Sequence, residues 1–270
     1  MERTGGNPMI SVERYGPWAL VTGGSEGLGA SFARQLGAAG LNLILLARRE
    51  GPLERTAAEI RAECGVEVRT LSVDISAPDL LDHIRKVSDD VAVGLLVSNI
   101  GGYFGSGPFL GLDADDVRRN VRSSPLAHAT LAHHFGARML PRGRGGIILV
   151  GSLAGSAGGP ARAMYSAGKA FTQILAEGLW TEAGPDGLDV AYLVVGSTDT
   201  PARALAAGPV TEGQVVDDPD DIATFALANI TDGPVLVPPR LLPAFTELAA
   251  MPRRQAAETM RAMFGGQRAN

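Results

Sequence analysis

The sequence predicts an α/β fold: a doubly wound parallel sheet of about seven strands with helices on both faces, built as a single domain. Three observations predict it. Short branched-aliphatic runs alternate with helix-length segments along most of the chain, the pattern of βαβ crossovers. A glycine-rich turn, Thr22-Gly23-Gly24-Ser25-Glu26-Gly27-Leu28-Gly29, follows the first of those runs. The 270 residues, 45% hydrophobic and 20% charged, suit one α/β core without a large disordered region.

Taken in order, the runs Trp18 to Thr22, Leu43 to Ala47, Val66 to Val73, Val93 to Ser98, Ile147 to Gly151 and Leu188 to Val195 read as buried strands, because each is short, apolar and bounded by glycine or polar residues. Helices are expected between them at Leu28 to Ala39, Leu53 to Glu63, Pro78 to Asp89, Ala114 to Met139 and Met164 to Ala183. In such a sheet ligands sit beyond the carboxyl ends of the strands, so function is sought in the strand-to-helix turns.

Two stretches break the rhythm. From Gly196 to Asp217 glycine, proline, threonine and alanine replace a compact turn, and a loop of that length inside a domain is expected to be a substrate lid. Past Asp218 a short helix to about Ile230, a brief strand Val235 to Val237 and a terminal helical segment Leu242 to Phe264 follow. The resulting division is a flexible extension over 1–16, the α/β domain over 17–240 with its lid at about 196–217, and a C-terminal helical segment over 241–270 packed on the same domain.

Composition excludes several classes of partner. A formal net charge of −5 with no basic stripe argues against nucleic acid and anionic lipid. Cys64 is the only cysteine, so neither an intrachain disulfide nor a thiolate cluster is available, and a buried structural thiol is expected. Met1 to Gly16 has no apolar run of signal-peptide type, and no apolar stretch approaches the about 20 residues of a membrane span. A cytoplasmic protein is expected. His133 and His134 are adjacent on a helix, point to different faces and have no carboxylate or thiol set at metal-ligand spacing, so no metal site is expected. Tyr103, Phe104 and Phe109, which follow the fourth strand, suit either a substrate pocket or the core.

The chemistry concentrates in three places. In the first turn, glycines let a pyrophosphate approach a helix N-terminus, where unpaired N–H groups and the macrodipole favour anions. Tyr165 and Lys169, four apart on a helix, share one face. An ammonium beside a phenol stabilises the phenolate and makes general acid–base work feasible for a group whose ordinary pKa is about 10. Ser152 ends the fifth strand thirteen positions before Tyr165, where its hydroxyl can hold a substrate oxygen as charge develops. Each feature alone is common; their order and spacing together are not.

With Thr22, Gly23, Gly27 and Gly29 matching Thr-Gly-x-x-x-Gly-x-Gly and Ser152, Tyr165 and Lys169 matching a catalytic trio, the chain resembles the short-chain dehydrogenase/reductases from about Trp18 to Pro201. The resemblance implies a Rossmann-type domain and hydride transfer between a nicotinamide cofactor and a carbonyl or alcohol carbon, with Tyr165 exchanging the proton, Ser152 holding the oxygen and Lys169 tuning Tyr165 and positioning the ribose. It implies Asn120 as the fourth catalytic residue, holding a water in a proton relay. The cofactor contacts it implies are the turn residues Gly23, Ser25, Glu26, Gly27, Leu28 and Gly29; Asp74, which reads the adenine, with its neighbour Ile75; Asn99 and Gly101 in Ser98-Asn99-Ile100-Gly101, where the family reads Asn-Asn-Ala-Gly; Tyr165 and Lys169; and Gly196, Thr198 and Thr200. The carboxamide contact falls on Thr200, with Thr198 the near alternative, in a segment that lacks the family's usual proline.

After the second strand the chain reads Ala47-Arg48-Arg49. An acidic residue there binds the ribose diol of NAD, whereas arginine accommodates the extra phosphate of NADP. Arg48 and Arg49 therefore favour NADP(H) over NAD(H), which stays possible, with Glu26 counting against. The apolar and basic C-terminal helix is more like hydroxysteroid dehydrogenase and ketoacyl reductase branches, so a bulky or apolar ketone or alcohol is expected: steroid-like, acyl or cyclic. The two long helices resemble the family's usual dimer faces, so a homodimer or homotetramer is expected. The rival readings are a catalytically silent dinucleotide-binding redox sensor, against which the intact trio argues, and a sugar-nucleotide epimerase, whose differently spaced glycine loop and larger C-terminal domain are not found.

Overall fold

The structure is a computed structural model that describes residues 10–101, 105, 107–207, 210 and 215–264. Its strands are β1 (Trp18–Thr22), β2 (Asn42–Ala47), β3 (Val68–Ser72), β4 (Val93–Ser98), β5 (Gly145–Val150), β6 (Leu188–Leu193) and β7 (Val235–Leu236). All pair in parallel in the order β3-β2-β1-β4-β5-β6-β7. Winding reverses between β1 and β4, which is where a Rossmann-type sheet opens its ligand crevice.

Helices cover both faces. They are α1 (Val12–Tyr15), α2 (Gly27–Ala38), α3 (Glu50–Cys64), α4 (Leu80–Ser88), α5 (Ala114–Val121), α6 (Ala127–Met139), α7 (Ala163–Ala183), α8 (Pro201–Ala207), α9 (Pro219–Ala228), α10 (Leu242–Ala250) and α11 (Arg253–Phe264). Successive strand residues point to opposite faces. Val21 and Leu45 join Phe32 and Leu36 of α2, Ile60 of α3 and Ile222 of α9 in one core, while Leu20 and Ile44 join Ile84 of α4, Phe135 of α6 and Ala176 of α7 in the other. Both faces being covered is why the central strands β1, β4 and β5 are buried end to end instead of alternating.

Three expectations about the elements are corrected. The helix expected over Ala114 to Met139 is interrupted: a wider π-type turn spans Arg122–Leu126 between α5 and α6. Pro125 lies inside it; a proline has no N–H for the helical ladder and its ring clashes with the carbonyl four residues back, so the chain opens there. The terminal segment is two helices, parted where Met251 turns to φ −66, ψ 142, the extended conformation that the following proline imposes. Residues 10–16, expected within a flexible extension, form a capped turn of helix with Tyr15 buried. The Tyr15 hydroxyl donates to Asp189 at 2.6 Å and Arg14 holds the same carboxylate at 2.7 and 2.8 Å. Gly94 and Gly146 make room for Tyr15, since a Cβ on either would lie within 2.9 Å of it. Cys64, expected to be buried, is only partly so, at the edge of the first core.

Within 196–217 the ends of the loop are tied together: Thr198 bridges Asp217, and Arg240 grips the Asp217 carboxylate, one bond measuring 2.6 Å. At the N-terminal end of α7, Leu248 of α10 and Ala256 and Met260 of α11 pack with Ala154, Ala157 and Tyr165. The C-terminal helices thus cover the turn that follows β5.

Candidate active site

The glycine turn after β1 leads into α2 with Glu26 as its N-cap, and no side chain caps that end. The first N–H groups of the helix are thereby left for another acceptor. A Cβ on Gly29 would run into the Gly23 carbonyl and lie 2.8 Å from the Asn99 amide nitrogen, and one on Gly23 (φ +68) would lie 2.9 Å from that nitrogen. Asn99 thus closes one side of a cradle that side chains at positions 23 and 29 would fill. Gly27 (φ +53) faces Thr200, whose methyl a Cβ would meet at 2.8 Å. Ser25 is fixed from behind by Thr56, which donates to its carbonyl at 2.9 Å, and Leu28 is buried. Backbone approach of an anionic group is what these glycines permit, so the cradle fits a dinucleotide pyrophosphate.

Around the cradle, Arg48 and Arg49 are exposed at the end of β2. Arg49 pairs with Glu26, whereas Arg48 makes no ion pair among the described residues. Asp74 accepts from the Ser76 N–H at 2.9 Å, the Ser76 hydroxyl at 2.7 Å and the Arg119 guanidinium at 2.6 Å. Burial pushes its carboxyl up, but those three bonds outweigh burial and hold it below the usual range. Ile75 packs on the second core. Gly101 is exposed, with open space at its Cβ position. Gly196 lies against Leu241, Arg240 and Asp217. Thr198 is buried with its hydroxyl unpartnered among the described residues, while the Thr200 hydroxyl accepts from the Arg203 N–H at 3.2 Å.

Tyr165 and Lys169 stand on α7, and Ser152 stands at the head of the turn after β5. Lys169 is 2% exposed. Its Nζ donates to the carbonyl oxygens of Ile100 at 2.8 Å and Val150 at 2.7 Å, and lies 5.8 Å from the centre of the Tyr165 ring. Burial pulls its pKa from 10.5 down to about 7. Ile100, bulkier than the alanine of the family pattern, turns its side chain into the core and offers Lys169 its carbonyl. Ser152 begins the short turn after β5, its hydroxyl accepting from the Ala154 N–H at 3.2 Å. Asn120 is 4% exposed at the end of α5, immediately before the π-type turn, and donates to the Asp116 carbonyl at 2.8 Å.

Ser98, another departure from the family pattern, bonds the fully buried ring of His128 at 2.9 Å. Burial, reinforced by Lys169, holds that imidazole well below its ordinary 6.5 and therefore neutral. His134 is buried beside Arg138, and no group of three metal-type side chains occurs among the described residues. Phe109 is exposed in a short turn; Tyr103 and Phe104 lie outside the described residues.

Sequence reasoning missed Tyr192, Arg119 and His128. Tyr192 is the one aromatic residue of β6, which is a visible signal. Its contacts lie 40 residues away, at Ser152, and no local pattern reveals them.

Residues 17–207 match the family model described as short chain dehydrogenase. The chain is similar to a 7beta-hydroxysteroid dehydrogenase of Clostridium sardiniense, 32% identical over 214 residues, covering 76% of this chain and 82% of that one. It is also similar to a very-long-chain 3-oxoacyl-CoA reductase of Aspergillus clavatus, 34% identical over 211 residues, covering 76% of this chain and 61% of the relative. The matched region thus spans about three fifths of the length of that reductase. Among solved structures it is similar to a short-chain dehydrogenase from Sphingobium yanoikuyae in complex with NADPH, at a TM-score of 0.76 and 29% identity over 94% of this chain and 97% of that one.

Proposed function

The chain belongs to the short-chain dehydrogenase family and is an oxidoreductase, and from that premise we propose that it interconverts a bulky ketone and its alcohol with NADP(H). When bound, the nicotinamide supplies or accepts the hydride. Tyr165 gives its phenolic proton to the substrate oxygen in reduction and takes it back in oxidation. Ser152 donates its hydroxyl hydrogen to the same oxygen as negative charge builds there. Lys169 stabilises the phenolate that Tyr165 becomes and holds the cofactor's ribose, and Asn120 connects Lys169 to a water relay. The observation that carries this reading is the placement of Lys169: a buried amino group, anchored by two carbonyls, beside the Tyr165 ring.

NADP(H) is supported by Arg48, which has no competing carboxylate, and by Arg49, whose partner Glu26 is exchangeable for a phosphate. The adenine falls to Asp74, and the carboxamide to Thr200 or Thr198. A bulky apolar substrate is supported by the apolar cluster of Leu248, Ala256 and Met260 packed against Tyr165 and by the steroid and long acyl chains in the names of the relatives. Phe171 and Ile174, 44% and 65% exposed on α7, suit assembly into a homodimer or homotetramer, which sedimentation velocity tests. No described helix is long and apolar enough to cross a membrane.

A thermal-shift series with NADPH, NADH, steroid ketones, acyl thioesters and cyclic ketones tests the assignment, because ligands of the folded state raise its apparent stability. A larger rise with NADPH than with NADH, and a further rise with one ketone class, is expected. A larger rise with NADH overturns the cofactor assignment. Cofactor binding without turnover of any ketone favours a silent redox sensor instead.

A further inference from the structure

We propose that Tyr192 is a positioning residue for Ser152: its buried phenol fixes the serine by holding both its backbone N–H and its carbonyl. The inference rests on the assignment of Ser152 to the substrate oxygen. Tyr192 stands on β6 and is fully buried. Its hydroxyl accepts from the Ser152 N–H at 3.0 Å and donates to the Ser152 carbonyl at 3.1 Å. One hydroxyl thus satisfies both backbone groups of the one residue whose side chain must be aimed. The Ser152 carbonyl also accepts from the Gly155 N–H at 2.9 Å, and the flanking Gly151 and Leu153 N–H groups donate to the Leu193 and Val195 carbonyls at 2.8 and 3.0 Å; the Ser152 N–H is held by the Tyr192 hydroxyl.

The surrounding residues are shaped for this contact. Gly151 has no room for any side chain, because a Cβ there would fall on the Tyr192 ring; at Gly155 a Cβ would lie 2.9 Å from the Tyr192 hydroxyl and 3.1 Å from the Lys169 Cβ. The turn over Leu153–Gly155 is therefore held between the phenol on one side and the α7 backbone that carries Tyr165 and Lys169 on the other. Burial raises the Tyr192 pKa, Ser152 opposes that rise, and Tyr165 is close enough to add to it. Tyr192 consequently stays protonated and works as a fixed donor–acceptor, leaving proton exchange to Tyr165. Displacing a reacting group by about 1 Å costs roughly 100-fold in rate, which is the scale of effect available to a residue that never touches substrate.

The test is a double-mutant cycle of Tyr192→Phe and Ser152→Ala on the full chain, measured with NADPH and the ketone most readily reduced in the ligand series. Tyr192→Phe keeps the ring that fills the hollow beside Gly151 and removes only the hydroxyl. We expect kcat to fall by about 10- to 100-fold, NADPH affinity by fluorescence titration to stay within about twofold, and Tyr192→Phe to change kcat by less than about twofold once Ser152 is alanine. Hydrogen exchange of the Ser152 amide should also accelerate in Tyr192→Phe, independently of turnover. An unchanged kcat, or an equal loss with and without Ser152, overturns the inference. Should Tyr192→Phe not fold, Gly155→Ala substitutes for it in the same cycle: the inference expects a fall in kcat that disappears once Ser152 is alanine, and unchanged kcat, or an equal loss with and without Ser152, overturns it. Full activity in Ser152→Ala alone overturns the assignment of Ser152, and with it the role of Tyr192; loss in Ser152→Ala beside full activity in Tyr192→Phe removes the role of Tyr192 only.

Discussion

Lys169→Met removes a titrating amine from a buried site at nearly constant volume, and the structure sets the size and sign of the result. Burial lowers the Lys169 pKa from 10.5 to about 7. In the unfolded chain the amine keeps its proton up to about 10.4. Between those values the unfolded state binds one proton more than the folded state, so folding stability rises with pH at about 1.4 kcal/mol per unit. The cost of burying the ammonium is fully present below about pH 7 and is relieved as pH rises. From pH 7 to pH 9 the wild type should therefore gain about 2 kcal/mol relative to Lys169→Met, the other titrations cancelling in the difference. Urea unfolding of the cofactor-free proteins at the two pH values measures it. Parallel pH dependence of the two proteins would refute the burial of a titrating amine at this position.

Three further outcomes are expected. Glu26→Gln releases Arg49 from its ion pair and should tighten NADPH binding about two- to fivefold at low salt, the range of an exposed pair, with NADH binding unchanged; fluorescence titration with both cofactors checks it. Gly29→Ala places a methyl against the Gly23 carbonyl and the Asn99 amide, so NADPH and NADH binding should both be lost while circular dichroism stays native. Ala161 holds φ +54 in the turn before α7, so Ala161→Gly should stabilise the fold by about 1 kcal/mol, read as a higher denaturation midpoint.

Much of the fold was legible because each of its signals is local. The limits of β1 and β4 coincide with the apolar runs Trp18 to Thr22 and Val93 to Ser98, since strands buried on both faces are apolar end to end. The break at Pro125 was written in the chain, yet the apolar spacing continues through it and argues for one long helix. Tyr15 is bound to the core by Asp189, 174 residues away, and by the space that two glycines leave. Such packing has no period to read. The candidate site divides the same way: Tyr165, Lys169 and Ser152 carry spacings, whereas Arg119 beneath Asp74 and His128 beside Ser98 are tertiary neighbours with no motif of their own.

The account turns on Tyr165 as the proton-exchanging group, and Tyr165→Phe isolates that hydroxyl. NADPH oxidation with the preferred ketone, measured beside NADPH affinity, tests it most directly. A rate loss of about 100- to 10,000-fold, the range for a general acid, with affinity within about twofold is the expected result. Turnover that survives the substitution contradicts the claim.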